Sequence, residues 1–162
     1  LAFRSPTTTE EDREIAEYLA EDLGIADIQS YAKAMFDAKS DLGDMPTRKI
    51  LELDYKVFSV GEKKFGYGVM ETTSPAYAMG RKNEILSDMK ALKEETGLHA
   101  IFFSVVDILA EKNITFVAGD VEKNAIKWAF GADTTDFVAD LAGRLSRKKE
   151  LEPALRVYFE KN

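Results

Sequence analysis

No cysteine occurs among the 162 residues, and His99 is the single histidine. The first absence excludes disulfides and thiolate metal sites, and it suits a reducing cytoplasm. The second leaves any metal centre to be built almost wholly from carboxylates. Such a donor set suits magnesium or calcium, not manganese, cobalt or zinc. A Ser-His-Asp arrangement would rest on His99 alone, and no G-x-S-x-G elbow is present. We therefore expect neither a catalytic residue nor a metal site within this stretch. Basic excess is lacking too: 22 Lys and Arg stand against 29 Asp and Glu, for a net charge of −7. That balance argues against nucleic acid and anionic membrane surfaces as partners. No apolar run approaches the ~18 residues of a membrane span, and no signal-peptide pattern opens the chain. Leu1 stands first where Met would be expected, so we expect a fragment or a processed product.

What is present stands out against that acidic background. Arg144, Arg147, Lys148 and Lys149 place four cations within six residues, around Ser146-Arg147-Lys148-Lys149. Clustered cations repel, and an anion between them would relieve the repulsion through charge-assisted hydrogen bonds. Arg offers a planar fork to phosphate oxygens, and Lys a mobile point charge. The plain alternative is a solvated face at a helix start.

The chain reads as two helices and then a sheet. Thr9 and Asp12 fit a capping pattern. Ile15, Leu19 and Leu23 recur at helical spacing until Gly24. Asp27 can cap a second helix with Ile28, Tyr31, Ala32 and Met35 on its apolar side. A loop at 40–46 and a short helix from Thr47 to about Leu51 follow. Period two then takes over: Leu53, Tyr55 and Val57 face one way, and Asp54, Lys56 and Phe58 the other. A turn at Val60-Gly61-Glu62-Lys63 and the alternation of Phe65, Tyr67 and Val69 complete a hairpin. Gly66 and Gly68 share the remaining face, which admits a packed element, a ligand or a bulge; we favour packing. Helical period returns over 75–95. Two apolar runs, 99–106 and 113–118, read as buried strands. Asp120 can cap a helix closed by Gly131, and 135–141 reads as a last strand. After Gly143 comes the cationic run. Pro153 is tolerable only in a first turn, so the final helix should start near Lys149. The expected fold is α/β: a mixed sheet of about five strands flanked by helices, preceded by a helical N-terminal segment. Whether the first ~50 residues pack on that sheet or stand apart is open at this point.

A strand, a glycine, basic residues and a helix N-terminus in succession form an anion-binding layout. Lys56, on the polar side of the first strand, is by itself most often just solvated. The carboxylates Asp54, Asp107, Asp120, Asp136 and Asp140 have plain uses as caps or surface charges. His99 reads as a strand-end or packed imidazole.

Four stretches carry a resemblance to one family. They are Phe3-Arg4-Ser5-Pro6-Thr7 with Thr9 and Asp12, Leu53-Asp54-Tyr55-Lys56 with Gly61-Glu62-Lys63-Lys64, Val105-Val106-Asp107-Ile108-Leu109, and Ser146-Arg147-Lys148-Lys149 with Pro153. Together they resemble the C-terminal, DHH-associated half of a family II inorganic pyrophosphatase, over essentially the whole chain. The resemblance implies a linker remnant at 1–8 and a substrate-binding domain at 9–162. The N-terminal DHH domain, which supplies manganese or cobalt ligands in that family, would be absent from this stretch. Magnesium would accompany the substrate. The family's substrate-binding positions fall on Lys56, Arg147 and Lys148, with Lys149 and Arg144 as electrostatic support. The implied activity of the full-length protein is hydrolysis of pyrophosphate to two phosphates, with this fragment inactive alone. The implied partners are pyrophosphate or phosphate and the upstream DHH domain, in a cytoplasmic homodimer, without nucleic acid or membrane. Two other readings are a different DHH-superfamily phosphoesterase, acting on polyphosphate or nucleotides, and a non-catalytic anion-binding or regulatory domain.

Overall fold

The computed structural model of the protein describes residues 8–162. The lead-in at 1–7, read above as linker, lies outside the described residues. The chain divides into two units, 1–42 and 43–162.

The first unit holds α1 (Glu10–Asp22) and α2 (Ile28–Ser40). A capping box opens α1: Thr9 Oγ1 accepts from Asp12 N, and Asp12 accepts from Thr9 N at 2.8 Å. The bond from Thr9 N, with a second from the Thr9 hydroxyl at 2.9 Å, holds the Asp12 carboxyl below its ordinary pKa. Asp27 caps α2 by accepting from Gln29 N and Ser30 N. The apolar stripes expected on these helices are not buried. Ile15, Leu19, Leu23, Tyr31 and Met35 are all about half-exposed or more, and among the described residues of this unit Ala20 is the buried hydrophobic one.

The second unit is built on a six-stranded sheet of order β1-β2-β3-β4-β6-β5. Its strands are β1 (Tyr55–Val60), β2 (Lys63–Thr72), β3 (Ala100–Asp107), β4 (Lys112–Val117), β5 (Thr134–Thr135) and β6 (Val138–Asp140). β2 and β3 are parallel and the other pairings antiparallel, so the sheet is mixed. Its helices are α3 (Thr47–Glu52), α4 (Pro75–Gly80), α5 (Lys82–Glu95), α6 (Asp120–Phe130) and α7 (Glu152–Lys161). The two apolar runs form β3 and β4 at the centre, and Ala100–Val106 are buried throughout. On one face, Phe65 and Phe102 pack against Phe159 of α7, with Phe65 and Phe159 stacked 5.1 Å apart. On the other, Gly68 leaves room for Phe103 and the Leu51 carbonyl of α3. Gly66 and Gly68 therefore serve packing. A Cβ on Gly66 would lie 2.6 Å from Cζ of Tyr55, and nearer still to its hydroxyl.

Several boundaries depart from the sequence reading for local reasons. The expected helix over 75–95 breaks between Gly80 and Lys82, where Arg81 turns to donate to the Met45 carbonyl and the Tyr77 hydroxyl. Gly119, not Asp120, caps α6; Asp120 is its first helical residue and pairs with Lys123. The single last strand is a hairpin, because Asp136 and Phe137 both take positive φ (49° and 63°) and fold it back. That gives six strands where about five were expected. The final helix begins at Arg147, not near Lys149, and it does so as a π turn over Arg147–Leu151. Pro153 then sits in the first turn of the α-helix proper, where its missing N–H costs nothing. The wider turn explains how helix can precede the proline. Among the described residues, no helix is long and apolar enough to cross a membrane.

Candidate functional site

The cationic run is delivered by a held turn. After β6, Ala142 takes a positive φ of 51° and its N–H donates to Asp140 Oδ1 at 2.7 Å. The next anchors come from β4. Asn113 N donates to the Ala142 carbonyl at 3.1 Å, and Asn113 Nδ2 donates to the Arg144 carbonyl at 2.7 Å. Ser146 then caps the π turn, with its hydroxyl accepting from Lys149 N at 3.2 Å. Glu150 reaches back to accept from Leu145 N and Ser146 N, at 3.1 and 2.9 Å. The Ser146 carbonyl accepts from both Glu150 N and Leu151 N. This bifurcation widens the turn, and such widened turns often mark functional positions.

Arg147 does not point into solvent. Its Nη1 donates to the main-chain oxygens of Asp54 (2.6 Å) and Tyr67 (3.1 Å), and its Nη2 donates to Asp54 Oδ1 at 2.6 Å. Its side chain is 10% exposed, whereas that of Asp54 is 55% exposed. The guanidinium thus spans the start of β1 and the middle of β2. In that pairing Lys56 stands opposite Tyr67. Paired residues of adjacent strands share a sheet face, and Tyr67 stacks on Phe102 on the face covered by α7. Lys56 therefore lies on the same face as the π turn and beside the main chain that seats Arg147. Of the five N–H donors of a guanidinium, three are used here, leaving two without a partner among the described residues.

The remaining candidates divide. Lys56, Lys148 and Lys149 are exposed. Arg144 turns away: its guanidinium lies over the Phe130 ring at 5.5 Å, and its Nη1 donates to the Leu141 carbonyl at 3.2 Å. His99 stands exposed at the start of β3, with its ring edge-on to Phe159 at 5.8 Å, as the strand-end reading expects. Asp107, Asp120, Asp136 and Asp140 cap turns or pair with lysines. Asp54 is the carboxylate that enters the site, and only its place two residues before Lys56 hinted at this. Burial pushes the Tyr67 hydroxyl up to about 12, against the opposing effects of the neighbouring Ser104 and Thr115 hydroxyls and of the Arg147 charge. Among the described residues, no group of three or more His, Cys, Asp or Glu could hold a metal ion. What the arrangement offers is an anchored guanidinium with two free donors, next to exposed lysines.

Comparison with known proteins places these features in context. The model of the DHHA2 domain matches residues 33–158. A probable manganese-dependent inorganic pyrophosphatase of Deinococcus radiodurans is 48% identical over 98% of this chain and 52% of its own length. The manganese-dependent inorganic pyrophosphatase of Methanocaldococcus jannaschii is 32% identical over 94% of the chain and 49% of its own length. A solved structure described as a family II inorganic pyrophosphatase of Methanococcus jannaschii superposes with a TM-score of 0.80 at 32% identity. It covers 96% of this chain and 50% of that one. The chain spans about half the length of the relatives it matches.

Proposed function

This chain belongs to the DHHA2 domain family, and from that premise we propose that residues 9–162 are the substrate-binding C-terminal domain of an inorganic pyrophosphatase. Residues 1–8 are the linker remnant. Pyrophosphate, carried with magnesium, is bound by Arg147, Lys148 and Lys56. Lys149 and Arg144 add positive field without contact. The observation that supports this best is the seating of Arg147 on Asp54 and Tyr67, on the sheet face and at the level of Lys56. Arg147 is pre-oriented by three bonds, so an incoming phosphate does not have to order it. Its two spare donors suit phosphate oxygens, and Lys148 and Lys56 can follow the charge that moves to the leaving phosphate. Closure of this domain over the substrate would exclude water and strengthen each of those contacts. Manganese or cobalt, held by an upstream DHH domain, would supply the activated water. The full-length protein would be a cytoplasmic homodimer, and this chain alone inactive.

The test is made in the full-length polypeptide with manganese. Phosphate release from pyrophosphate is expected. Arg147→Ala and Lys148→Ala should each lower turnover at least tenfold, consistent with loss of one charge-assisted contact in the transition state. Wild-type turnover in both variants, or no release by the parent protein, would overturn the assignment.

A further inference from the structure

Asn113 is an uncommon residue for a central strand, and it is completely buried. Each of its four polar atoms has a partner. Its N–H donates to the Ala142 carbonyl at 3.1 Å, and its carbonyl accepts from Leu141 N at 2.9 Å. Its Nδ2 donates to the Arg144 carbonyl at 2.7 Å, and its Oδ1 accepts from Thr115 Oγ1 at 3.1 Å. Three of these bonds hold the turn 141–144, which leads directly to Arg147. The fourth continues inward: Thr115 Oγ1 meets Ser104 Oγ at 2.7 Å, and Ser104 Oγ meets the Tyr67 hydroxyl at 2.8 Å. Tyr67, Ser104 and Thr115 are also fully buried.

The direction of this chain of bonds is determined. The Arg144 carbonyl can only accept, so Nδ2 faces it and Oδ1 faces Thr115. Thr115 must then give its proton to Oδ1, Ser104 its proton to Thr115, and Tyr67 its proton to Ser104. Each hydroxyl has one proton and each is spent once. The row crosses β2, β3 and β4 and joins two places that matter for one side chain. At one end is Tyr67, whose main-chain oxygen seats Arg147. At the other is the carbonyl of Arg144, three residues before Arg147.

We propose that Asn113 is a positioning residue for the Arg147–Lys148 turn, and that the Tyr67-Ser104-Thr115 row fixes its amide in the orientation the turn needs. The inference rests on the proposed pyrophosphatase reading. A buried amide that served stability alone would leave substrate use unchanged in any variant that folds. A positioning role makes the two Thr115 variants differ. Thr115→Ser keeps the hydroxyl and loses a methyl group; Thr115→Val keeps the shape and loses the hydroxyl.

The experiment is steady-state pyrophosphate hydrolysis by the full-length, manganese-loaded protein, beside thermal melts of each variant. Thr115→Val should raise KM about fivefold and lower kcat, whereas Thr115→Ser stays within twofold of wild type in both, even at a similar melting temperature. Asn113→Ala should lose at least tenfold in kcat/KM. Should Asn113→Ala fail to fold, the Thr115 pair decides. If Arg147→Ala is impaired while Thr115→Val matches Thr115→Ser in KM and kcat, the positioning role is overturned and the pyrophosphatase reading stands. If the parent protein releases no phosphate, both fall.

Discussion

Gly66→Ala tests the packing that brings Tyr55, and with it the start of β1, onto the sheet. A Cβ at this position would stand 2.6 and 2.8 Å from two Tyr55 ring carbons and closer still to the hydroxyl oxygen. Ordinary contact begins near 3.4 Å, so the overlap comes to about 1 Å at the ring carbons and exceeds it at the hydroxyl, and the ring has to leave. Tyr55 is half-buried, and its hydroxyl is without a partner among the described residues. Swinging outward therefore frees an unsatisfied group, which offsets part of the lost burial. Overpacking of this kind costs about 1–3 kcal/mol. For a chain of this size that is roughly 2–4 °C of melting temperature per kcal/mol. Glycine in a strand is itself unfavourable relative to alanine by roughly 0.5–1 kcal/mol. In a Tyr55→Ala background the same substitution should thus be neutral or slightly stabilising. A double-mutant cycle by urea denaturation should give a coupling energy of about 1–3 kcal/mol. Equal costs of Gly66→Ala in the two backgrounds, within about 0.5 kcal/mol, would refute the idea that this glycine exists to admit Tyr55.

Two further outcomes are expected. Asp54→Ala should lower kcat/KM for pyrophosphate three- to tenfold in the full-length protein, and Asp54→Asn should keep at least half of it. The carboxylate is 55% exposed, so its charge contributes under about 1 kcal/mol and the retained acceptor decides; equal losses would contradict this. At alkaline pH, burial holds the Tyr67 and Tyr55 hydroxyls at about 12 against an ordinary 10. Unfolding frees them to ionise near 10, so the folded state keeps protons that the unfolded state gives up. Stability present below pH 10 should then fall as pH rises toward 12. Tyr67→Phe should flatten that fall in urea midpoints, and an unchanged slope would count against the buried phenol as its source.

Much of the framework was legible because its signals are local. The alternation through Phe65, Tyr67 and Val69 and the apolar runs that became β3 and β4 needed only neighbours in sequence. The capping box at Thr9 and Asp12 and the glycine stop at Gly131 are local as well. Features that were missed depend on partners far along the chain or on backbone states without a residue signature. The β5–β6 hairpin turns on positive φ at Asp136 and Phe137, where Asn-Gly would have announced it. Arg147 and Asp54 are 93 residues apart. Asn113 and Arg144 are 31 apart, and nothing near either residue marks the bond.

The charge balance around the basic run changes in the fold. Four cations in six residues suggested a repulsion that an external anion would relieve. Two of the four already have internal partners: Arg147 is held by the Asp54 carboxylate and two carbonyls, and Arg144 lies over Phe130 against the Leu141 carbonyl. Glu150, directly after the run, adds a negative charge while its carboxylate accepts from Leu145 N and Ser146 N. Crowding of like charge is therefore too weak a reason to infer a ligand here. A stronger reason is the cost of the arrangement. A guanidinium with a 10% exposed side chain is kept on main-chain oxygens at the mouth of a widened helical turn, although an apolar side chain would pack there without desolvating a charge. Two of its donors stay open, beside a strand that carries Lys56 on the same face. Packing does not call for those open donors, and a charge-assisted contact of the kind proposed for pyrophosphate would use them.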